Sequence, residues 1–168
     1  MNVFFDTEFT QFRDAKLLSI GFVTDDDREL CIEVHDRKHW QEASDFCRSS
    51  VIPQFGLLPS LQASTDREVG QLVADWFTSL PPSLTLAYDY KTDWRLLESC
   101  LWASGHWPSL SAAIHPMNVA DYANSEACLA AQESHFEGLG APGRHHALVD
   151  ARALRARWQK YLEQTRGA

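Results

Sequence analysis

A chain of 168 residues is long enough to bury one core, and its 45% hydrophobic and 23% charged residues are those of an ordinary globular domain. No apolar run approaches the roughly 18 to 20 residues that cross a bilayer, and Asp6 and Glu8 interrupt any secretory leader, so a cytoplasmic protein is expected. A formal charge of −8 excludes broad adhesion to duplex nucleic acid, which needs many Lys and Arg contacts to phosphate, but leaves room for a pocket holding one strand end.

Residues 2 to 8 read as a strand rich in Val and Phe, followed by "KLLSIGFVT" (16 to 24) and "RELCIEV" (28 to 34). The short turns between them predict an antiparallel meander. Residues 39 to 56 hold a short helix before Pro53, and residues 57 to 61 a loop. A firmer helix runs from Asp66 to Leu80, with Thr65 and Glu68 spaced as a capping box and Val69, Leu72, Val73, Trp76 and Phe77 at helical spacing. "LTLAY" (84 to 88) is a buried strand and "DWRLLESCLWA" (93 to 103) a helix with Leu96, Leu97, Cys100 and Leu101 inward. Residues 104 to 118 read as loop, 125 to 136 as helix, and the Gly-rich "EGLGAPGRH" leads into a last helix from 146 to 162. Strands first, then helix, strand and helices, give one mixed α/β domain over residues 1–168.

Cys31, Cys47, Cys100 and Cys128 form no Cys-x-x-Cys pair and read as buried thiols in a reducing compartment. His35 and His39 stand four apart but follow a strand and lack a third ligand, so no zinc site is expected there. From residue 144 onward, Arg144, Arg152, Arg155, Arg157, Lys160 and Arg166 face only Asp150 and Glu163, a net +4 that leaves the rest of the chain at −12. The plain reading of that segment is a solvated basic helix face.

The carboxylates carry the chemistry. Asp6 and Glu8 in "VFFDTEFT" point to one side of a strand, and two carboxylates on an apolar segment are costly unless a cation meets them. "AYDYKTDWRLL" puts Asp89 and Asp93 at a strand–helix junction, and "RHHALVDARAL" puts Asp150 among apolar residues of the last helix, five after His145. Each has a plainer role open to it: Asp93 as a helix cap, Asp150 as a partner of Arg144 or Arg152.

"FFDTEFT", "YDYKTDWRLL" and "HHALVDA", in that order, resemble the three motifs of the DEDDh family of 3′–5′ exonucleases, which belong to the ribonuclease H-like superfamily. The likeness spans nearly the whole chain and is greatest to small stand-alone bacterial exoribonucleases of the mycobacterial type, through "DTEF", "SIG" and "HxALVDAR". One departure is Asp89, where the family generally has Asn. Alignment on "WRLL" makes Asp93 the ligand and leaves Asp89 as a fifth carboxylate near the site.

The resemblance implies a ribonuclease H-like fold, a mixed five-stranded sheet flanked by helices. It further implies two Mg²⁺ or Mn²⁺ ions, one held by Asp6, Glu8 and Asp150 and the other by Asp6 with Asp93. His145, placed before the last helix, would be the general base, and His146 a packing or exposed residue. Phe9, Thr10 and Phe12, beside the first motif, and Arg144 are the expected substrate contacts, with Arg13 a second choice for phosphate. The expected substrate is the 3′ end of single-stranded nucleic acid, RNA favoured over DNA, and the expected assembly a homodimer. The rivals are an exodeoxyribonuclease, hydrolysis of a small phosphodiester, and a silent binding module on the same fold.

Overall fold

The computed structural model describes residues 1–166. Its centre is a mixed six-stranded sheet in the order β4-β3-β2-β1-β5-β6. β1 (Asn2–Phe9), β2 (Leu17–Thr24) and β3 (Glu29–Val34) form the antiparallel meander that their apolar runs and short turns predict. β4 (Leu61–Ala63) adds to β3 in parallel at one edge. β5 (Leu84–Tyr88) lies parallel to β1, and β6 (Ile114–Asn118) parallel to β5 at the other edge.

The sheet therefore has six strands, not five, and residues 104 to 118 are not loop. They comprise the short helix α4 (Trp107–Leu110), a 3₁₀ turn and β6. β6 escaped sequence reading because "IHPMN" has no alternation and carries Pro116, which an edge strand accommodates since one side of its ladder goes unpaired. β4 is only three residues long and begins at Leu61, inside the expected 57 to 61 loop. The ambiguous 39 to 56 stretch starts earlier than expected: α1 (Arg37–Glu42) is capped by Asp36, whose carboxylate accepts the Lys38 amide at 2.7 Å. A π-helical turn (Cys47–Val51) and a 3₁₀ turn holding Pro53 follow.

α2 (Asp66–Thr78) and α3 (Lys91–Ala103) cover one face of the sheet, where Val3, Phe5, Phe22 and Leu86 meet Val69, Val73, Phe77, Leu97 and Leu101. α5 (Glu126–Ser134) and α6 (Ala147–Arg166) cover the other, where Phe4 and Ala87 meet Cys128, Ala151 and Leu154. Alternation along β1 thus assigns Phe5 to one layer and Phe4 to the other. No helix among the described residues is long and apolar enough to cross a membrane.

Candidate metal centre

The face that Phe4 shares with Asp6 and Glu8 looks toward α6, whereas Thr7 looks toward α3. What brings α6 so close is Gly21. It pairs with Asp6 across the β1–β2 ladder, so its missing side chain lies on the same face as the Asp6 carboxylate. A Cβ there would sit 2.3 Å from the Leu148 amide nitrogen. Only glycine lets the first turn of α6 rest on the sheet, and that turn carries Asp150.

Glu8, His145 and Asp150 consequently offer ligand atoms that all lie within 4.8 Å of one another. His145 precedes α6 with φ at 68°, a left-handed backbone that costs a β-carbon residue about 1–2 kcal/mol. The strain is offset by its amide, which donates to Asp150 Oδ2 at 2.9 Å and fixes that carboxylate at the head of the helix. The His145 ring stands edge-on to Phe46, with centroids 4.8 Å apart.

Asp93 arrives from the first turn of α3. Its carboxylate caps that helix by accepting the Tyr90 amide at 3.0 Å, and it also accepts the Thr7 hydroxyl at 2.6 Å. The capping role is therefore real, but it does not exhaust the residue, which is only 2% exposed and lines the same cleft as Asp6, Glu8 and Asp150. Asp89, at the end of β5, also faces this cleft of about 470 Å³, yet differs from the others: Arg157 Nη1 donates to both its oxygens, at 3.1 and 3.2 Å.

Among the described residues no Lys or Arg pairs with Asp6, Glu8, Asp93 or Asp150. The partners that sequence offered for Asp150 are engaged elsewhere, Arg144 with Glu133 and Arg152 with Glu29. Burial, then the charges of Asp93, Asp150, Glu8 and Asp89, raise the Asp6 carboxyl well above its usual range. Burial and Asp150 do the same to Glu8. Burial lifts Asp93 and Asp150 each to about 6, opposed by the Thr7 and Tyr90 hydrogen bonds in the first case and by the His145 amide in the second. Burial and the charge of Arg144 hold the His145 imidazole below its ordinary value. Four carboxylates that repel one another, with a neutral imidazole beside them, form an oxygen-rich donor set of the kind that could hold hard divalent cations.

The expected substrate residues divide. Phe9 and Phe12 line the cleft with rings 5.4 Å apart, and Phe12 is 77% exposed, beside Tyr90 at 6.3 Å. Thr10 is buried, and its hydroxyl accepts the Lys16 amide at 3.2 Å to close the β1–β2 connection. Arg144 stacks on Phe136 and pairs with Glu133, outside the cleft lining, and Arg13 points into solvent. His146 is buried, a packing residue whose Nδ1 has no protein partner. Sequence reading missed Thr7, Tyr90, Phe46 and Arg157. Thr7 and Tyr90 sit inside quoted motifs and Arg157 lies seven residues after Asp150, but nothing local marks Phe46. No protein-family model matches the chain, and no curated protein matches it.

Proposed function

We propose that this chain is a metal-dependent 3′–5′ exonuclease of the DEDDh kind, with a ribonuclease H-like fold, that shortens single-stranded RNA or short oligoribonucleotides. The observation carrying this reading is the convergence of Asp6, Glu8, Asp93 and Asp150, from β1, α3 and α6, on one cleft without a basic partner. A protein that only bound nucleic acid would gain nothing from such repulsion.

Asp6, Glu8 and Asp150 would hold one ion, and Asp6 with Asp93 the other. When bound, two divalent ions supply the positive charge against which the attacking and leaving oxygens of a phosphodiester are held. They also reconcile an acidic cleft with a phosphate substrate. His145, neutral at pH 7 and held next to Asp150, accepts the proton of the attacking water. Phe12, Tyr90 and Phe46 line the cleft and expose their rings, on which unpaired bases stack at about 1–3 kcal/mol per base. Duplex ends present no such bases, which favours a single strand. The preference for RNA and the homodimer rest on the motif resemblance alone, and the cytoplasmic location on the sequence composition.

The test is a 5′-labelled single strand, as RNA and as DNA, incubated with Mg²⁺ or Mn²⁺. The expected product is a ladder receding from the 3′ end, faster on RNA and absent with Asp6→Asn. A wild-type protein that binds the strand and leaves it whole is a binding module. Internal cuts, or cleavage only of small phosphodiesters, would likewise remove the exonuclease assignment.

A further inference from the structure

Asp89 and Asp93 are four residues apart, and both line the cleft, but the protein treats their charges differently. The Asp93 oxygens meet only neutral donors, the Thr7 hydroxyl and the Tyr90 amide. Those of Asp89 meet a guanidinium. Arg157 is 3% exposed, and its remaining donors are also engaged: Nε with the Ala123 carbonyl at 2.7 Å, Nη2 with Asn124 Oδ1 at 3.0 Å, and Nη1 with Gln132 Oε1 at 3.2 Å. A planar fork held at so many points cannot swing to a ligand, so it acts through whatever it touches.

Helix geometry explains why this arginine is the one that arrives. Seven residues turn through about 700°, so Arg157 lies on the same face of α6 as Asp150, roughly 10.5 Å further along. On the sheet below, Asp6 and Asp89 each stand two residues beyond the last paired positions of β1 and β5, Phe4 and Ala87. One helix face therefore brings an acid to β1 and a base to the end of β5.

Resting on the two-metal reading above, we infer that Arg157 is a positioning residue that holds Asp89 as a neutral pair, leaving Asp6, Glu8, Asp93 and Asp150 as the ion-holding carboxylates. The charges then close. Four unpaired carboxylates balance two divalent ions, whereas a free Asp89 would leave a surplus negative charge at the place where phosphate must enter. The pair also ties β5 to α5 and to the segment after β6 through Asn124 and Gln132, so that Asp89 cannot drift toward the ions.

The measurement is Mn²⁺ binding, followed by the free-ion spin-resonance signal, in the full-length protein and four variants. Asp89→Asn, which leaves the Arg157 charge unpaired, is expected to weaken binding by less than tenfold, and Asp93→Asn to lose more than tenfold or to bind one ion fewer. Arg157→Met, which exposes the ions to an unpaired Asp89, should bind Mn²⁺ at least threefold tighter. Adding Asp89→Asn to it should restore the wild-type value. A merely structural arginine would weaken binding when removed, and the second change would not reverse that. Loss of affinity in Asp89→Asn as large as in Asp93→Asn makes Asp89 a ligand and overturns the pairing; so does unchanged affinity in Arg157→Met. Should Arg157→Met not fold, the comparison of Asp89→Asn with Asp93→Asn decides alone. A wild-type protein that takes up no Mn²⁺ overturns the metal reading itself, and the pair's role with it.

Discussion

Replacing Asp150 by Asn removes a charge and leaves shape and hydrogen bonding nearly intact, since the amide oxygen can still accept the His145 N–H. Burial lifts this carboxyl from 3.8 to about 6, so in the metal-free protein ionised Asp150 opposes folding. At about 1.4 kcal/mol per pH unit the penalty is roughly 3 kcal/mol, absent below pH 4, growing as the pH rises through 6, and level above that. The variant should therefore be more stable than wild type in EDTA at pH 7.5, by up to about 3 kcal/mol, or about 6–12 °C in melting temperature for a chain of this size. That advantage should vanish near pH 4, where both proteins are uncharged at this position. With saturating Mn²⁺ the order reverses. Wild type gains by mass action, about 4.1 kcal/mol at a thousandfold excess over Kd and so more than the burial penalty, whereas the variant has lost a ligand and gains little. Thermal melts at four pH values, with EDTA or Mn²⁺, measure all of this. An Asn variant that melts no higher than wild type in EDTA at pH 7.5 would refute the burial argument, and one that gains as much from Mn²⁺ the ligand assignment.

Three other outcomes are expected. Gly21→Ala forces α6 off β2 and should destabilise the fold by about 1–3 kcal/mol while weakening Mn²⁺ binding; urea unfolding and a Mn²⁺ titration unchanged from wild type would show that the close approach is not needed. Because His145 is held below the usual imidazole value by burial and Arg144, the acid limb of the cleavage rate at saturating Mg²⁺ should lie below pH 6.5 and move up in Arg144→Gln; a limb that stays put in that variant removes Arg144 as a cause. Phe12→Ala, at an exposed ring, should raise KM for a single strand by roughly 5- to 150-fold with no change in melting temperature, and an unaltered KM would take Phe12 out of the stacking surface.

Much of the scaffold was legible because the local signals agree with the tertiary ones. The meander follows from three apolar runs separated by short polar turns, and its strands end within a residue or two of expectation. α2 is capped by Thr65 as its spacing foretold: the hydroxyl accepts the Glu68 amide at 3.2 Å, although the Glu68 carboxylate accepts the Ser64 amide rather than that of Thr65. Edge strands were not legible, since β4 and β6 are short, and their pairing depends on neighbours distant in sequence. At the site, the spacing of Asp6, Glu8, Asp93, Asp150 and His145 named residues that do meet in one cleft. The cations were harder to place. Counting charge cannot say which arginine is spent where: Arg144, expected at the substrate, pairs with Glu133 outside the cleft lining, and Arg157, read as part of a solvated helix face, is buried against Asp89.

The basic segment also gains a mechanical meaning. A helix that carries Asp150 into a group of like charges is pushed away from the sheet, most strongly when no cation is bound. Its arginines resist that push from the other side: Arg152 grips Glu29 with Nε and Nη2, at 2.6 and 2.7 Å, and Arg155 holds the Thr24 carbonyl at 2.8 Å and Asp27 at 2.7 Å. Single half-exposed pairs of this kind contribute at most about 1 kcal/mol each, but they act on one rigid helix together with the packing of Ala151 and Leu154 against Phe4. The arginines of α6 are therefore directed at Glu29, the β2–β3 turn and Asp89, and Asp6, Glu8, Asp93 and Asp150 have no basic partner among the described residues. A fold that gave Asp150 a basic partner would be more stable and would forgo the unpaired acid on which the proposed ion binding depends.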